Sequence, residues 1–346
     1  MSVTIRDIAR EASVSTATVS KVLNDKLYVA QATRQRVLEV IERLNYTPNA
    51  AAASLARREQ RIVLYADCFK KGLAFQNPHV FEIICGISNE LGRKQYQLEF
   101  LHLEENGRRT EEILEEAILS KRADGMILNV DFVTPSLERV LIRNAFPQVC
   151  IGRPDFDTLL SWIDTNHVLS ASIAVEHLLE TGCSRIAFMG GLATDNIFTD
   201  RLKGFLISMK KHGCDVPEEY VTYNPPDVQT IEQRASELLA LPQPPDAIIC
   251  TNSLMAFGTM AAIQRAGLSV PEQVSVVAFD DYPFTPVISP APTVINIDLF
   301  SLGVQAAHSL LRKIRNPAQL IQTYTTLPQL TQRKSTKANG KGGKRS

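Results

Sequence analysis

The chain has 346 residues, of which 37 are Lys or Arg, 37 are Asp or Glu and 45% are apolar. At this length a single hydrophobic core gives way to several, so more than one domain is expected. Since no apolar run reaches the roughly 18 residues of a membrane span, and the first residues lack the apolar stretch of a secretion signal, we expect a cytoplasmic protein. The six cysteines are far apart, without a Cys-x-x-Cys pair, which predicts reduced thiols.

The charges are unevenly distributed along the chain. Residues 1–61 have ten Lys/Arg and six Asp/Glu, and residues 333–346 have six Lys/Arg and no acid, so these two segments carry +4 and +6. The residues between them carry −10. A net charge of zero alone argues against a nucleic-acid binder, but a basic segment joined to an acidic body indicates a phosphate-contacting module attached to a domain with another task.

Residues 4–48 have the pattern of three short helices. Apolar residues recur at helical spacing in residues 5–12, 19–23 and 37–44. Thr4 and Asp7 are spaced as a capping box for the first helix, and Ser15 is placed to cap the second. A helix, a three-residue break and a second helix are typical of a helix-turn-helix, and Pro48 ends this unit.

The remainder predicts an α/β body. Residues 49–58 are alanine-rich, but about ten residues are too few for a helix that is stable alone in water. From residue 61 onward, apolar strands alternate with amphipathic helices, which predicts two doubly wound parallel sheets. The predicted strands are residues 62–66, 98–101, 126–130, 149–151, 186–189, 247–250 and 274–279. The Gly/Lys-rich segment after residue 336 is expected to be disordered.

Small polar residues cluster at the start of the predicted second helix. In a helix-turn-helix this end enters the major groove, where small side chains permit close approach to bases and phosphates. Lys21 has the length to reach a guanine edge or a phosphate. A capped surface helix without a ligand is the alternative, but the apolar packing pattern and the third helix favour DNA binding. The candidates within residues 1–48 are Thr4, Ser15, Thr16, Ala17, Thr18, Ser20, Lys21, Asn24, Tyr28 and Thr33.

Several segments resemble the LacI/GalR repressor family almost position for position. They are residues 4–9 (Thr-Ile-Arg-Asp-Ile-Ala), 14–20 (Val-Ser-Thr-Ala-Thr-Val-Ser), 33–34 (Thr-Arg), 44–49 (Leu-Asn-Tyr-Thr-Pro-Asn), 327–328 (Leu-Pro) and 333–336 (Arg-Lys-Ser-Thr). The resemblance spans nearly the whole chain and implies a homodimer that binds a pseudo-palindromic double-stranded operator, with one helix-turn-helix per half-site. It places Thr16, Ala17 and Lys21 at the positions that choose the operator sequence.

The resemblance also implies a hinge helix at residues 49–58. Its leucine, here Leu55, wedges into the minor groove at the operator centre and kinks the duplex. Asn49 begins this segment and joins the candidate DNA-binding residues. The family usually has an arginine where Ala53 stands, so one hinge contact is expected to be missing.

For the body, the resemblance implies the two-lobed fold of periplasmic binding proteins, with a small-molecule effector between the lobes at the carboxyl ends of the strands. Residues 201–205, 252–258 and 276–281 match the family's effector-site segments. An arginine fork opposite an aspartate and an amide is suited to binding a polyol. A surface position for Arg201 and an N-cap role for Asp280 are the alternatives. The candidate effector-binding residues are Asp67, His79, Phe81, Arg201, Asn252 and Asp280.

Departures from the family pattern bear on the effector. Ser253 stands where an aspartate is usual, Thr165-Asn166 where Asp-Asn is usual, and His79 and Val80, ahead of Phe81, where two aromatics are usual. The preceding loop is long and contains Lys70 and Lys71. Losing an acid and gaining basic groups favours an anionic effector such as a sugar acid or sugar phosphate. The alternative is that these lysines are solvated.

The sequence therefore predicts a helix-turn-helix domain (residues 1–48), a hinge helix (49–60), an N-terminal lobe (61–163 and 293–326), a C-terminal lobe (164–292 and 327–335) and a disordered basic tail (336–346). The predicted function is a transcriptional repressor of a carbohydrate-utilisation operon, released by a sugar, sugar acid or sugar phosphate. No cofactor, metal or enzymatic site is expected, because P-loop, nucleophile-elbow and metal-spaced motifs are missing. A corepressor-dependent or activating regulator with a purine-type effector, and a solute-binding protein, remain alternatives.

Overall fold

The computed structural model describes residues 3–23, 29–46, 60–69, 78–103, 108–193, 195–223, 227–282, 284–319 and 323–338. The chain divides into two compact units, Met1–Arg61 and Ile62–Ser346, here called the head and the body. The predicted hinge helix lies outside the described residues, apart from Gln60 at its end.

The described part of the head contains the three predicted helices: α1 (Ile5–Glu11), α2 (Thr16–Leu23) and α3 (Gln31–Arg43). The turn between α1 and α2 passes through Ser13, whose φ is +53°. This left-handed conformation reverses the chain within the three residues that the sequence pattern left outside both helices.

The first sheet of the body has the strand order β11-β5-β4-β3-β1-β2, and all its neighbouring strands are parallel. Its strands are β1 (Ile62–Asp67), β2 (Gln97–His102), β3 (Gly125–Asn129), β4 (Gln148–Ile151), β5 (Trp162–Thr165) and β11 (Thr323–Thr326).

The second sheet has the order β12-β10-β9-β8-β6-β7 and is parallel except for β12 against β10. Its strands are β6 (Ile186–Gly190), β7 (Val221–Tyr223), β8 (Ala247–Cys250), β9 (Ser275–Phe279), β10 (Thr293–Asn296) and β12 (Gln329–Thr331). The strand order reverses between β6 and β8, and such a switch point is where ligands bind in open α/β sheets.

Helices cover both sheets. They are α4 (Pro78–Arg93), α5 (Thr110–Leu119), α6 (Pro135–Arg143), α7 (His167–Glu180), α8 (Asn196–Lys211), α9 (Val228–Leu239), α10 (Ser253–Arg265) and α11 (Leu299–Arg315). Successive residues of one strand enter different hydrophobic clusters, as Val63 and Leu64 of β1 do. Each sheet thus has a core on both faces, which is why its central strands are continuous apolar runs rather than alternating ones.

The chain passes three times between the two sheets: after β5, after β10 and after β11. The predicted lobe boundaries are therefore wrong by a few residues, since β5 keeps residues 164–165 in the first sheet and β10 holds residues 293–296 in the second. The predicted tail also begins too early. The hydroxyl of Thr336 is buried and lies 2.9 Å from Nε2 of His177 and 2.8 Å from the hydroxyl of Thr293.

A close helix contact fixes the position of α8. At Gly204 an added Cβ would lie 2.1 Å from the carbonyl oxygen of Val168 in α7. Only glycine permits α7 and α8 to approach this closely. The contact seats the preceding turn of α8, which carries Arg201, against the second sheet.

Among the helices of the described residues, none has the length and apolarity needed to cross a membrane. All six cysteines lie in the described residues and none forms a disulfide; Cys150, Cys183 and Cys250 are buried.

Candidate functional site

The head has a small hydrophobic core of its own. Ile8 and Val19 are fully buried, as is Val37, so α1, α2 and α3 each contribute to one cluster. These side chains fix α2 against the other two helices. The opposite face of α2 is thereby left at the surface.

Polar side chains organise the start of α2. The hydroxyl of Ser15 accepts a hydrogen bond from the backbone N–H of Thr18 at 3.1 Å and lies 2.9 Å from the hydroxyl of Thr18. Ser15 thus caps α2, as the sequence predicts. The candidate DNA-reading side chains on the exposed face of α2 are Thr16, Ala17, Ser20 and Lys21.

The candidate DNA contacts outside α2 differ in their surroundings. Thr4 donates from its backbone N–H and its hydroxyl to the carboxylate of Asp7, at 3.0 Å and 2.6 Å, and these bonds lower the pKa of Asp7. Thr33 is half-buried at the start of α3. Asn24, Tyr28, Asn49 and Leu55 lie outside the described residues. The DNA-binding roles of all these residues stay predictions.

Arg201 is at the centre of a buried polar cluster in the body. Its side chain is about 5% exposed, and its guanidinium lies 4.0 Å above the ring of Phe279, the last residue of β9. Nη1 donates to the carbonyl oxygen of Thr251, directly after β8, at 2.6 Å. Burial lowers the pKa of Arg201 against the opposing effect of neighbouring carboxylates, but a guanidinium remains protonated in proteins.

Asp280 follows β9 in a left-handed conformation, with φ at +74°. Its backbone N–H donates to Ile295 at 3.0 Å, and its carbonyl oxygen accepts from the hydroxyl of Ser253 at 3.2 Å. Its carboxylate Oδ1 lies 3.8 Å from Nη2 of Arg201. Neither Oδ1 of Asp280 nor Nε of Arg201 has a hydrogen-bond partner within the described protein, although both atoms are buried.

A residue that follows the first sheet's β1 completes the cluster. His79, in α4, places Nε2 3.1 Å from Oδ2 of Asp280. Its ring also meets that of Tyr282 edge-on, with the centroids 5.5 Å apart. Burial acts to raise the pKa of Asp280, but the charges of His79 and Arg201 outweigh it, so the pKa is lowered and the carboxylate is ionised.

More carboxylates surround the guanidinium. Asp280, Asp195 and Asp164 all interact electrostatically with Arg201. The carboxylate of Asp164 lies 3.1 Å from Nε2 of His167. Burial acts to raise the pKa of Asp164, but the hydrogen bond and charge of His167 outweigh it. The pKa is lowered overall, so this carboxylate is ionised too. The cluster therefore surrounds one permanent cation with acids, a charge balance that suits ligands with hydroxyl groups.

Two protein-family profiles match the chain. Residues 4–49 match the lacI family of bacterial regulatory proteins, and residues 175–336 match the periplasmic binding protein-like domain. The probable HTH-type transcriptional repressor ExuR of Bacillus subtilis (strain 168) is 31% identical over 319 residues, which are 91% of this chain and 92% of the relative. The chain belongs to the LacI family.

Two further comparisons concern whole LacI-family proteins. The ribose operon repressor of Escherichia coli (strain K12) is 29% identical over 336 residues, 96% of this chain and 99% of the relative. The crystal structure of the lac repressor dimer bound to operator and the anti-inducer ONPF has a TM-score of 0.80 and 26% identity, and the match covers 98% of this chain and 100% of that one. The predicted family, two-part fold and function as a DNA-binding transcriptional regulator are confirmed. These LacI-family relatives are named as regulators, not as enzymes.

The structure of this LacI-family chain brings only some of the predicted effector residues together. Arg201, Asp280 and His79 form the cluster, whereas Phe81 is 60% exposed. The carboxylate of Asp67 accepts from the backbone N–H of Cys68 at 2.7 Å and from the hydroxyl of Tyr65 at 3.2 Å. Its contacts therefore lie within its own sheet, and burial raises its pKa.

Asn252 has a structural task that the sequence interpretation overlooked. Its side-chain oxygen accepts from the backbone N–H of Met255 at 2.9 Å and caps α10. An asparagine directly before an apolar helix is itself an N-cap signal, so this role was readable from the sequence. The amide nitrogen of Asn252 takes no part in this cap, so its N–H donors are the groups best placed to serve an effector.

Seven residues around Arg201 and Asp280 were not among the candidates: Thr251, Ser253, Phe279, Tyr282, Asp164, Asp195 and His167. Thr251 takes part through its backbone carbonyl, which no side-chain pattern reveals. Ser253 is buried and braces the turn at Asp280. The sequence showed it only as a missing acid.

Proposed function

We propose that this LacI-family regulator is a homodimeric repressor whose grip on operator DNA is released by a polyhydroxylated small molecule bound at Arg201 and Asp280. The carrying observation is the pair of buried, unpartnered polar atoms at the switch point of the second sheet, Nε of Arg201 and Oδ1 of Asp280. An unpaired buried donor or acceptor costs about 1–3 kcal/mol. A ligand that satisfies both atoms recovers that free energy.

A hydroxyl group is the simplest complement of this pair. A guanidinium nitrogen only donates and a carboxylate only accepts, whereas one hydroxyl can accept from the first and donate to the second. The name of the ribose operon repressor, a relative over 96% of this chain, supports a sugar as the source of that hydroxyl.

The described charges favour a neutral sugar over a sugar acid or sugar phosphate. Three carboxylates interact with Arg201, and His79 is directed at one of them, Asp280. An anionic ligand would have to approach these acids, and Arg201 is the only permanently charged cation among the described residues of the cluster. Lys70 and Lys71, on which the anionic hypothesis partly depends, lie outside the described residues.

Control of DNA binding follows from differential affinity. If the effector binds one arrangement of the two lobes more tightly than the other, it shifts the equilibrium by that difference and no more. The arrangement it favours is proposed to be the one that weakens operator binding. Leu55 and Asn49 are proposed to act in the hinge contact, and no catalytic step is assigned to any residue.

Isothermal titration calorimetry on the full chain tests the effector assignment. With D-ribose, D-glucose and D-glucuronate as ligands, we expect at least one neutral sugar to bind. D-glucuronate is expected to bind at least ten-fold more weakly than D-glucose, because its carboxylate meets the acids around Arg201. Tight binding of D-glucuronate with no binding of D-glucose or D-ribose would contradict the proposal.

For the DNA-reading face, we predict that Lys21→Ala lowers affinity for the selected operator by about 10- to 100-fold, the range for one good base contact. If Lys21 reads a base, sequence preference at one operator position relaxes. If Lys21 contacts a phosphate, affinity falls for every duplex, and the slope of log affinity against log salt concentration becomes shallower by about one. Fluorescence anisotropy with operator and random duplexes at several salt concentrations separates the two outcomes.

The control for Lys21 is Lys210→Ala, which removes an equal charge from an exposed position in the body. Operator affinity of this variant should stay within about two-fold of the wild type. Equal losses in both variants would show that total charge, rather than the face of α2, determines binding.

A further inference from the structure

The two carboxylate oxygens of Asp280 have different surroundings. Oδ2 lies 3.1 Å from Nε2 of His79, whereas Oδ1 has no hydrogen-bond partner in the described protein. Because the ionised carboxylate can only accept, Nε2 of His79 must carry the proton and donate. One of the two carboxylate oxygens of Asp280 therefore already accepts a hydrogen bond from the protein.

The donors of Arg201 are divided in a similar way. Nη1 is committed to the carbonyl oxygen of Thr251 at 2.6 Å, and Nε is buried without a partner. One donor of Arg201 and one acceptor of Asp280 therefore have no hydrogen-bond partner in the described protein, and the two side chains approach to 3.8 Å between Nη2 and Oδ1. Two neighbouring hydroxyls can bind both oxygens of one carboxylate, but here Oδ2 of Asp280 already accepts from His79 and only Oδ1 has no donor from the described protein.

We propose that His79 is a specificity-determining residue: by occupying Oδ2 of Asp280 it limits the effector to a single hydroxyl between Oδ1 of Asp280 and Nε of Arg201. The inference rests on the proposed function, since it concerns the same ligand site. The bound sugar is then expected to place one hydroxyl, rather than a vicinal pair of hydroxyls, against the carboxylate of Asp280.

The position of His79 explains why a histidine matters there. The ring reaches Asp280 from α4, which follows β1 of the first sheet, and it is supported edge-on by Tyr282. An aromatic hydrocarbon ring in its place would stack without donating and would leave both oxygens of Asp280 to the ligand. Histidine combines the flat ring with an N–H donor.

The test compares dissociation constants for D-ribose and D-glucose with those for each of their monodeoxy derivatives, by calorimetry on full-length proteins. In the wild type we expect at least one monodeoxy derivative to bind within about two-fold of its parent. In His79→Ala, Oδ2 is open to a second hydroxyl. This variant should therefore bind the parent sugar about ten-fold more tightly than it binds that monodeoxy derivative, the size of one hydrogen bond to a charged group.

His79→Gln provides the rescue, because its amide N–H can still donate to Oδ2, and it should keep the wild-type ratios. His212→Ala is the matched control, since His212 is an exposed histidine bonded to the backbone of its own helix α8. Thermal unfolding of each variant checks that it folds. Proton–nitrogen NMR of the imidazoles adds a ligand-independent readout: the Nε2 proton of His79 should be hydrogen-bonded in the wild type and lose that bond in Asp280→Ala, which has no side-chain acceptor.

The possible failures are distinguishable. Unchanged ratios in His79→Ala, or a uniform loss of affinity for all sugars in that variant, would overturn the role of His79 while leaving the sugar site standing. An Nε2 proton of His79 that is unaffected by Asp280→Ala would overturn it as well. Absence of binding of every sugar to both wild type and His79→Ala would remove the proposed effector site and this inference with it.

Discussion

Arg201→Ala is expected to lower effector affinity at least a hundred-fold while operator binding persists. The substitution removes the donor Nε and the bond from Nη1 to Thr251, and it takes from Asp280 one of the three charges that lower its pKa. Hydrogen bonds to charged groups contribute about 1.5–3 kcal/mol each, and 1.4 kcal/mol corresponds to a factor of ten. Calorimetry with the sugar that binds the wild type, combined with operator anisotropy, measures both properties.

Lys203→Ala is the control for Arg201, because it removes a positive charge from an exposed position two residues along the same helix.

Arg201→Ala breaks a buried ion pair by removing one partner, which costs about 3–5 kcal/mol, so the folding of this variant must be checked. The double variant Arg201→Ala, Asp280→Asn removes the uncompensated charge and should be more stable than the single one. An effector response that survives in Arg201→Ala would refute the assignment of the site.

Ile8→Ala is expected to unfold the head at a temperature at which the body stays folded. Ile8 is fully buried in the core that joins the three helices, and losing a buried Ile side chain costs about 2–5 kcal/mol. A domain of under 70 residues rarely has more than about 3–5 kcal/mol in its core. Calorimetry should therefore show a separate, lower transition for the head, with operator binding lost and sugar binding unchanged.

Leu38→Ala supplies the comparison for Ile8, since Leu38 is 44% exposed on α3. Surface substitutions usually change stability by less than about 0.5 kcal/mol, so this variant should keep the wild-type transition. A single shared transition for head and body in Ile8→Ala would argue against two independently stable units.

The sequence was most informative where apolar residues recur regularly. All seven predicted strands are present with ends correct to within one or two residues, because buried central strands of parallel sheets are continuous apolar runs. The five strands that were missed, β5, β7, β10, β11 and β12, are only three or four residues long, and each contains Thr, Asn, Gln or Asp. β7, β11 and β12 lie at sheet edges, where one side faces solvent and the apolar pattern fades.

The candidate site was predictable only in part. Arg201 and Asp280 meet because α8 follows β6 and Asp280 follows β9, so the topology alone brings them to one sheet edge. The contact of His79 with Asp280 depends on how α4 packs against the rest of the body. A local sequence pattern carries no information about that packing. Asp67 was placed correctly at a strand end, but its oxygens are taken up by Cys68 and Tyr65.

Both sheets of the body recruit strands from late in the chain, and this has a consequence for synthesis. β11 completes the first sheet and β12 the second, and Ser335 and Thr336 are bonded into the latter. On the ribosome, the head has emerged and can fold long before either lobe can close. Translation that stops ahead of residue 323 would release a head whose body lacks the last strand of each sheet.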